Sequence, residues 1–267
     1  MIYRLNFKHC LHTLIFIALF AFSLNVKADP LQASTLDYPP YEYVENGQAK
    51  GIAVDIIKEA IKRSGDHRVE FNFYPWRRAV NSVEFGSSDI LFNAGKNEAR
   101  QVWGYYVESP LILQKYVLFK RKGDEVKVNA NFDNVKSLAI AIRTGYLYGS
   151  GVFRKALDRD KFSYLVKSET TKQSIDLLLN KRVDMFVGDY LPVMHYIQEN
   201  GLTSEIDIVV EEQQSRPLIV LTWPTYILFS KKRTDISYVH RIDRILNEMK
   251  QDGTYDMFFH KYQNVHD

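Results

Sequence analysis

The spacing of apolar residues along this chain changes period several times, and each change predicts an element. Residues 13–24 (TLIFIALFAFSL) carry no charge at all. Residues 31–36 read as a short strand that runs into Asp37-Tyr38-Pro39-Pro40-Tyr41, where the prolines force an extended turn. Ile52, Ile56, Ala60 and Ile61 form one stripe, with Lys58, Glu59, Lys62 and Arg63 opposite and Gly65 beyond, which is an amphipathic helix. Val69, Phe71 and Phe73 alternate with polar residues and predict a strand, followed by a helix over 76–85 and a strand over 89–92. The resulting β-α-β-α-β order favours a mainly parallel sheet with helices on both faces.

A longer strand follows at 112–119, and the charged stretch 120–127 interrupts the pattern. The βα rhythm then restarts: strand 138–142, a Gly-rich turn at 145–151, helix 153–157, strand 164–166, helix 172–180, strand 184–187 and a helix through Met194 and Ile197. Strands at 206–210 and 226–230 come next, then a helix with Val239, Ile242, Leu246 and Met249 on one face. Two βα runs in succession predict two similar lobes, and a tail that returned to the first lobe would link them by two extended crossings. The expected bounds are 29–119 plus 222–267 for one lobe and 120–221 for the other.

The uncharged stretch is preceded by Arg4 and Lys8 and followed by Val26-Lys27-Ala28, the layout of a secretory signal cut after Ala28. Its 12 residues fall short of the roughly 20 that a membrane-spanning helix needs, although an uncleaved anchor is the competing reading. Cys10, the chain's one cysteine, lies ahead of the apolar stretch, so the 239 residues after Ala28 carry none and a disulfide framework is excluded. Of the 67 charged residues, Arg4, Lys8 and Lys27 lie in the signal, leaving 32 basic against 32 acidic; the formal +3 of the whole chain falls to zero. Electrostatic capture of nucleic acid or an anionic membrane thereby loses its support. A hydrophobic fraction of 46% with 25% charged residues is globular and excludes low-complexity or disordered readings.

Motifs for a nucleophile elbow, a phosphate loop, a dinucleotide fold and a zinc protease are all missing, and the histidines show no i, i+4 pairing, so no metal, cofactor or catalytic set is expected. What stands out is polar and aromatic groups at the carboxyl ends of predicted strands, where open α/β sheets place ligands. Tyr38 and Tyr41 follow the first strand, Trp76 and Arg78 the second, and Asn93 to Arg100 the third. Gly145 and Tyr146 are expected to open a helix in the second lobe, and Asp189 ends a strand there.

In this setting the chain resembles family 3 of the bacterial extracellular solute-binding proteins, the periplasmic amino-acid-binding components of ABC importers. The resemblance rests on Tyr38-Pro-Pro-Tyr-Glu-Tyr with Gly51-Ile-Ala-Val-Asp55-Ile; on Phe85-Gly-Ser-Ser-Asp89-Ile; on Asn97-Glu-Ala-Arg100 with Ser109-Pro110; on Leu178-Leu-Asn-Lys-Arg-Val-Asp184-Met-Phe-Val-Gly-Asp189; and on Met249-Lys-Gln-Asp-Gly253-Thr-Tyr. It implies the type II periplasmic binding protein fold, two α/β lobes joined by two hinge strands and closing on a ligand. It also implies a non-enzymatic, monomeric, periplasmic protein that hands a small polar solute, an amino acid in this family, to a permease. A sensory protein read by a receptor and a dehydratase acting in the same cleft are the alternatives.

Carried over by position, Arg100 resembles the family's carboxylate-binding Arg, Asp189 its ammonium-binding acid, and Tyr38 and Trp76 its aromatic walls. Arg100 and Asp189 are then expected to meet opposite ends of one zwitterion across an open, hydrated cleft. A guanidinium fork suits a carboxylate, and the helix expected near Gly145 would offer N–H groups to an anion. The chain departs from the family at Gly95-Lys96-Asn97, where T-x-T is usual, and at Gly145-Tyr146, where Gly-Thr is usual. The run Pro75-Trp76-Arg77-Arg78-Ala79 adds a possible second cation at Arg78.

Overall fold

The computed structural model describes residues 29–65, 68–146, 148–211 and 216–263; the expected signal at 1–28 lies outside them. From Leu31 onward the chain forms one compact unit. Its strands in chain order are β1 (Leu31–Thr35), β2 (Tyr43–Glu45), β3 (Gln48–Lys50), β4 (Val69–Phe73), β5 (Ile90–Ala94) and β6 (Gly104–Tyr106). They continue as β7 (Ile112–Arg121), β8 (Ala139–Arg143), β9 (Tyr164–Ser168), β10 (Met185–Asp189), β11 (Ile206–Ile208) and β12 (Ile219–Ser230). The helices are α1 (Ile52–Ser64), α2 (Trp76–Glu84), α3 (Glu98–Gln101), α4 (Val152–Asp158), α5 (Thr171–Leu179), α6 (Tyr190–Glu199), α7 (Ile236–Gln251) and α8 (Thr254–Gln263).

Hydrogen bonding orders the strands β4-β1-β5-β12-β7-β10-β8-β9, with β6 on β12 and β11 on β7. The outer strands are parallel at both ends, β1 with β4 and β5, and β8 with β9 and β10. Antiparallel pairings come from the two long strands in the middle: β12 pairs β5 and β6 through residues 226–230 and pairs β7 through 219–225, while β7 also pairs β10. β12 is therefore shared between the two ends of the sheet. It begins seven residues before the expected 226, because Pro224 is accommodated within the strand opposite Leu113.

Alternation along the strands loads both faces. Ile90 and Phe92 join a core with Ile56, Ile112, Phe229 and Leu246, whereas Leu91 between them turns to the opposite face with Ala79, Val83 and Leu228. In the other half, Leu118, Met185 and Val187 pack with Phe132, Ile140 and Phe153, and Val117, Phe119 and Phe186 pack with Ile175, Leu178 and Val193. Each half is thus a sheet covered by helices and loops on both sides, which is the α/β architecture expected from the restarted βα rhythm. The tail returns to the first half: Val239, Ile242, Leu246 and Met249 of α7 lie in the same core as Ile52 and Ile56 of α1. No helix among the described residues is long and apolar enough to cross a membrane.

Candidate functional site

The turn after β1 is pinned from below by the start of α1. Ile52 N–H donates to the Pro40 carbonyl at 3.0 Å and Ala53 N–H to the Tyr41 carbonyl at 2.8 Å, using helix-terminal donors that have no partner inside the helix. Gly51 has φ 121, and a Cβ there would sit 2.3 Å from the Tyr41 carbonyl oxygen, so this approach requires glycine. The result is a turn whose Tyr41 and Glu42 side chains are fully enclosed.

Asp189 closes β10 and stands at the N-terminal boundary of α6 without capping it through its side chain, and it is only 3% exposed. It accepts the Tyr41 hydroxyl at 3.1 Å and the Tyr38 hydroxyl at 3.4 Å. Burial pushes its carboxyl up to about 8, even though these hydroxyls and the Tyr190 N–H favour the charged form. The expected hydrated setting is thereby corrected: the tyrosines enclose Asp189 and supply its partners.

Glu42 is a site residue that the sequence reading did not single out. Its Oε1 accepts Asn93 Nδ2 at 2.7 Å, while its Oε2 is buried without a hydrogen bond. Burial, with the nearby Asp189 charge adding to it, pushes this carboxyl well above the usual range. Asn93 adopts φ 54, a left-handed conformation that Asn tolerates, and its Oδ1 accepts the Thr225 hydroxyl at 2.6 Å. The signal was an acid lodged between two aromatics in Pro-Pro-Tyr-Glu-Tyr.

The remaining candidates separate. Arg100 is half-buried; it donates to the Gly95 carbonyl at 3.0 Å and its guanidinium lies 5.3 Å from the centre of the Trp76 ring. Arg78 is exposed and sits over Tyr74 at 4.3 Å, away from the other candidates' partners. Gly145 and Tyr146 do not open a helix: they belong to a turn in which Tyr146 N–H donates to the Arg143 carbonyl, and α4 begins only at Val152. The anion-binding helix terminus expected there is absent from that position. Asn97 caps α3 by accepting the Ala99 N–H, and Lys96 pairs with Glu108.

Between the two halves of the sheet lies a cavity of about 280 Å³. It is lined by Asn93 and Gly95 at the end of β5, by Tyr146 and Tyr148 in the turn after β8, and by Gln114, Tyr116, Trp223 and Thr225 of the long strands β7 and β12. Beside it is a pocket of about 20 Å³, room for one water-sized group, bordered by Asp189, Arg143, Tyr38 and Thr171. Tyr116 and Tyr146 border both spaces. Tyr38, Asn93, Gly145, Tyr146 and Asp189 are therefore brought to one cleft, with Tyr41 buried behind it on Asp189, while Trp76 and Arg100 meet each other at its Gly95 edge. Tyr116 and Trp223 were missed because mid-strand aromatics carry no distinctive spacing, and Tyr148 because it lies in the turn beyond β8, whereas Arg143 closes β8, a strand-end position that could have flagged it. Among the described residues no group of three or more His, Cys, Asp or Glu is placed to hold a metal ion.

The model of the bacterial extracellular solute-binding proteins, family 3, matches residues 32–265. The L-cystine-binding protein TcyA of Bacillus subtilis (strain 168) is 24% identical over 223 residues, spanning 81% of this chain and 74% of the relative. An ancestral cationic amino acid solute-binding protein superposes with a TM-score of 0.66 at 20% identity, covering 87% of this chain and 95% of that one. A histidine kinase sensor domain similar to periplasmic binding proteins gives 0.62 at 20% identity, covering 88% and 96%. At these identities the solved structures establish the two-lobed type II fold.

Proposed function

The chain belongs to the bacterial extracellular solute-binding proteins, family 3, and from that membership we propose that it captures an amino acid in the cleft and presents it to an ABC-type permease. The observation that carries the ligand class is Asp189. A carboxyl held between Tyr38 and Tyr41, with no ion-pair partner among the described residues, is matched by a ligand ammonium, which would favour its ionised form. Arg100 is the partner proposed for the ligand carboxylate, because a guanidinium fork can grip two oxygens and the residue already stands at the Gly95 edge of the cavity. Tyr38 and Trp76 act as walls. The lobes proposed to close are 29–119 plus 222–267 and 120–221, moving about β7 and β12, the strands common to both.

Catalysis in this cleft would need a carboxyl able to exchange protons with a ligand. Glu42 has a raised pKa but is fully enclosed behind Asn93 and does not border the cavity, and Asp189, the carboxyl that does border the cleft, is assigned to the ligand ammonium, which favours binding over turnover. A signal cleaved after Ala28, a periplasmic location and a monomeric state belong to the same proposal. The test is a thermal-shift screen of the purified protein against amino acids, small carboxylates and polyamines, followed by calorimetry. A ligand at 100 times its Kd should stabilise the fold by about 2.7 kcal/mol. Stabilisation by amino acids alone supports the proposal; a response only to polyamines or simple carboxylates would reject it.

A further inference from the structure

We infer that the cleft selects an amino acid with an uncharged, flat side chain, an aromatic amino acid, and that Trp223 seated on Gly95 is the wall that reads it. This rests on the amino-acid-binding reading above. Among the described residues, no Asp, Glu, Lys, Arg or His lines the cavity of about 280 Å³. Charge is gathered elsewhere: Asp189 and Arg143 border the small neighbouring pocket, and Arg100 lies over Trp76. Once a ligand's ammonium and carboxylate are met by those groups, a charged side chain in the larger cavity would be buried without a partner, which is costly.

The wall is aromatic instead. Tyr116 meets Tyr146 and Tyr148 edge-on, with ring centres 6.3 and 6.5 Å apart. Burial keeps the Tyr116 and Tyr148 hydroxyls protonated, the latter with its pKa pushed up to about 12, so neither phenol supplies a negative charge. In the same lining, a Cβ added at Gly95 would stand 2.9 Å from Trp223 Nε1 and 3.3 Å from two indole carbons. The absence of a side chain at Gly95 therefore makes room for an indole. Aromatic walls also attract cations, but Arg143 already lies 5.5 Å from the Tyr146 ring centre and would oppose a second positive charge. Edge and face contacts with a ligand ring face no such opposition. Gln114 brings a side-chain amide to the lining for a ring substituent, while Asn93 and Thr225 are already engaged with Glu42 and with each other.

The test is isothermal titration of the purified protein with phenylalanine, tyrosine, tryptophan, arginine, lysine, glutamate, aspartate and glycine betaine. An aromatic amino acid should bind at least tenfold tighter than any charged one or the betaine, and Trp223→Ala should weaken that binding tenfold or more. Trp223→Leu, which keeps apolar volume without a ring, should also weaken binding tenfold or more and serves as the variant if the alanine form does not fold. Tighter binding of a charged amino acid or of glycine betaine overturns the inference and leaves the solute-binding reading standing. Unchanged affinity in both Trp223 variants also overturns it. Failure of every amino acid in the thermal-shift screen to bind removes the amino-acid reading itself.

Discussion

Tyr41 donates its hydroxyl to Asp189 at 3.1 Å across 148 positions of sequence, joining the turn after β1 to the end of β10. Each partner depends on a different half of the sheet, so the bond exists only when the halves are in register. It also means that Asp189 is hydrogen-bonded yet lacks a cation. A ligand ammonium would meet an acid that is already oriented and whose negative charge is held back by burial.

That arrangement predicts pH-dependent binding. With its carboxyl at about 8, ligand-free Asp189 is mostly protonated at pH 7, and an ammonium requires it ionised. Binding should therefore release close to one proton at pH 7, and affinity should rise roughly tenfold per pH unit between 6 and 8, then level off. The charged and titratable groups around Asp189 are Tyr38, Tyr41, Glu42, Tyr116 and Arg143, and the tyrosines stay neutral throughout this range. Calorimetry in buffers of different ionisation enthalpy counts the proton. A pH-independent affinity would show that Asp189 does not hold the ammonium.

Stability without ligand should move the other way. Both Asp189 and Glu42 have folded-state values above their unfolded ones, so the folded form holds more protons. Stability is fullest below about pH 4 on account of these groups and declines as pH rises toward 8, by an amount on the order of a few kcal/mol. Asp189→Asn and Glu42→Gln should each flatten part of the decline and raise Tm at pH 8.5. Glu42→Gln should do so with little loss at pH 5, since one oxygen of Glu42 has no hydrogen bond to lose. Melting curves at the two pH values decide; parallel shifts at both would contradict the assignment.

The alternation of Val69, Phe71 and Phe73 and the stripe of α1 were legible because a half-buried strand and an amphipathic helix write their periods directly. The hairpin of β2 and β3 was not, since three-residue strands are too short to show a period. In β12, Trp223-Pro224 looks like a break, yet it pairs with Gln114 and Leu113 on β7. α8 escaped notice because Tyr255, Phe258, Phe259 and Tyr262 only partly bury against the core. In the site, Asp189 and Asn93 were legible from their places at strand ends. The mid-strand Tyr116 and Trp223 read as ordinary core, and only the pairing of β7 with β12 brings them into one cavity lining.

Gly51→Ala should be among the most damaging single changes. A methyl there would meet the Tyr41 carbonyl at 2.3 Å, and φ 121 disfavours any side chain. The strain and displacement together should cost about 2–5 kcal/mol, and the turn carrying Tyr38 and Tyr41 would shift with the backbone. Thermal unfolding should show a drop of roughly 5–15 °C. Gly65→Ala is the control: it also has positive φ, but nothing lies within 4 Å of the added carbon, so its loss should be smaller.

Arg100 provides the sharpest test of the other end of the ligand. It is held by the Gly95 carbonyl and by Trp76, contacts that orient a guanidinium but leave part of its fork unused. If the ligand carboxylate fills that remainder, Arg100→Ala strands a desolvated carboxylate in the closed cleft and should weaken binding by about 2–5 kcal/mol, roughly 30-fold or more. Arg100→Lys should restore little, because an ammonium cannot grip two oxygens while also reaching Gly95. Ligand-free stability should change by less than about 1 kcal/mol, in keeping with a half-buried side chain whose hydrogen bond goes to one carbonyl. Titration of both variants with the ligand found in the screen provides the measurement. If both bind as tightly as the parent, the carboxylate is held elsewhere, and Arg143 beside Asp189 becomes the residue to change next.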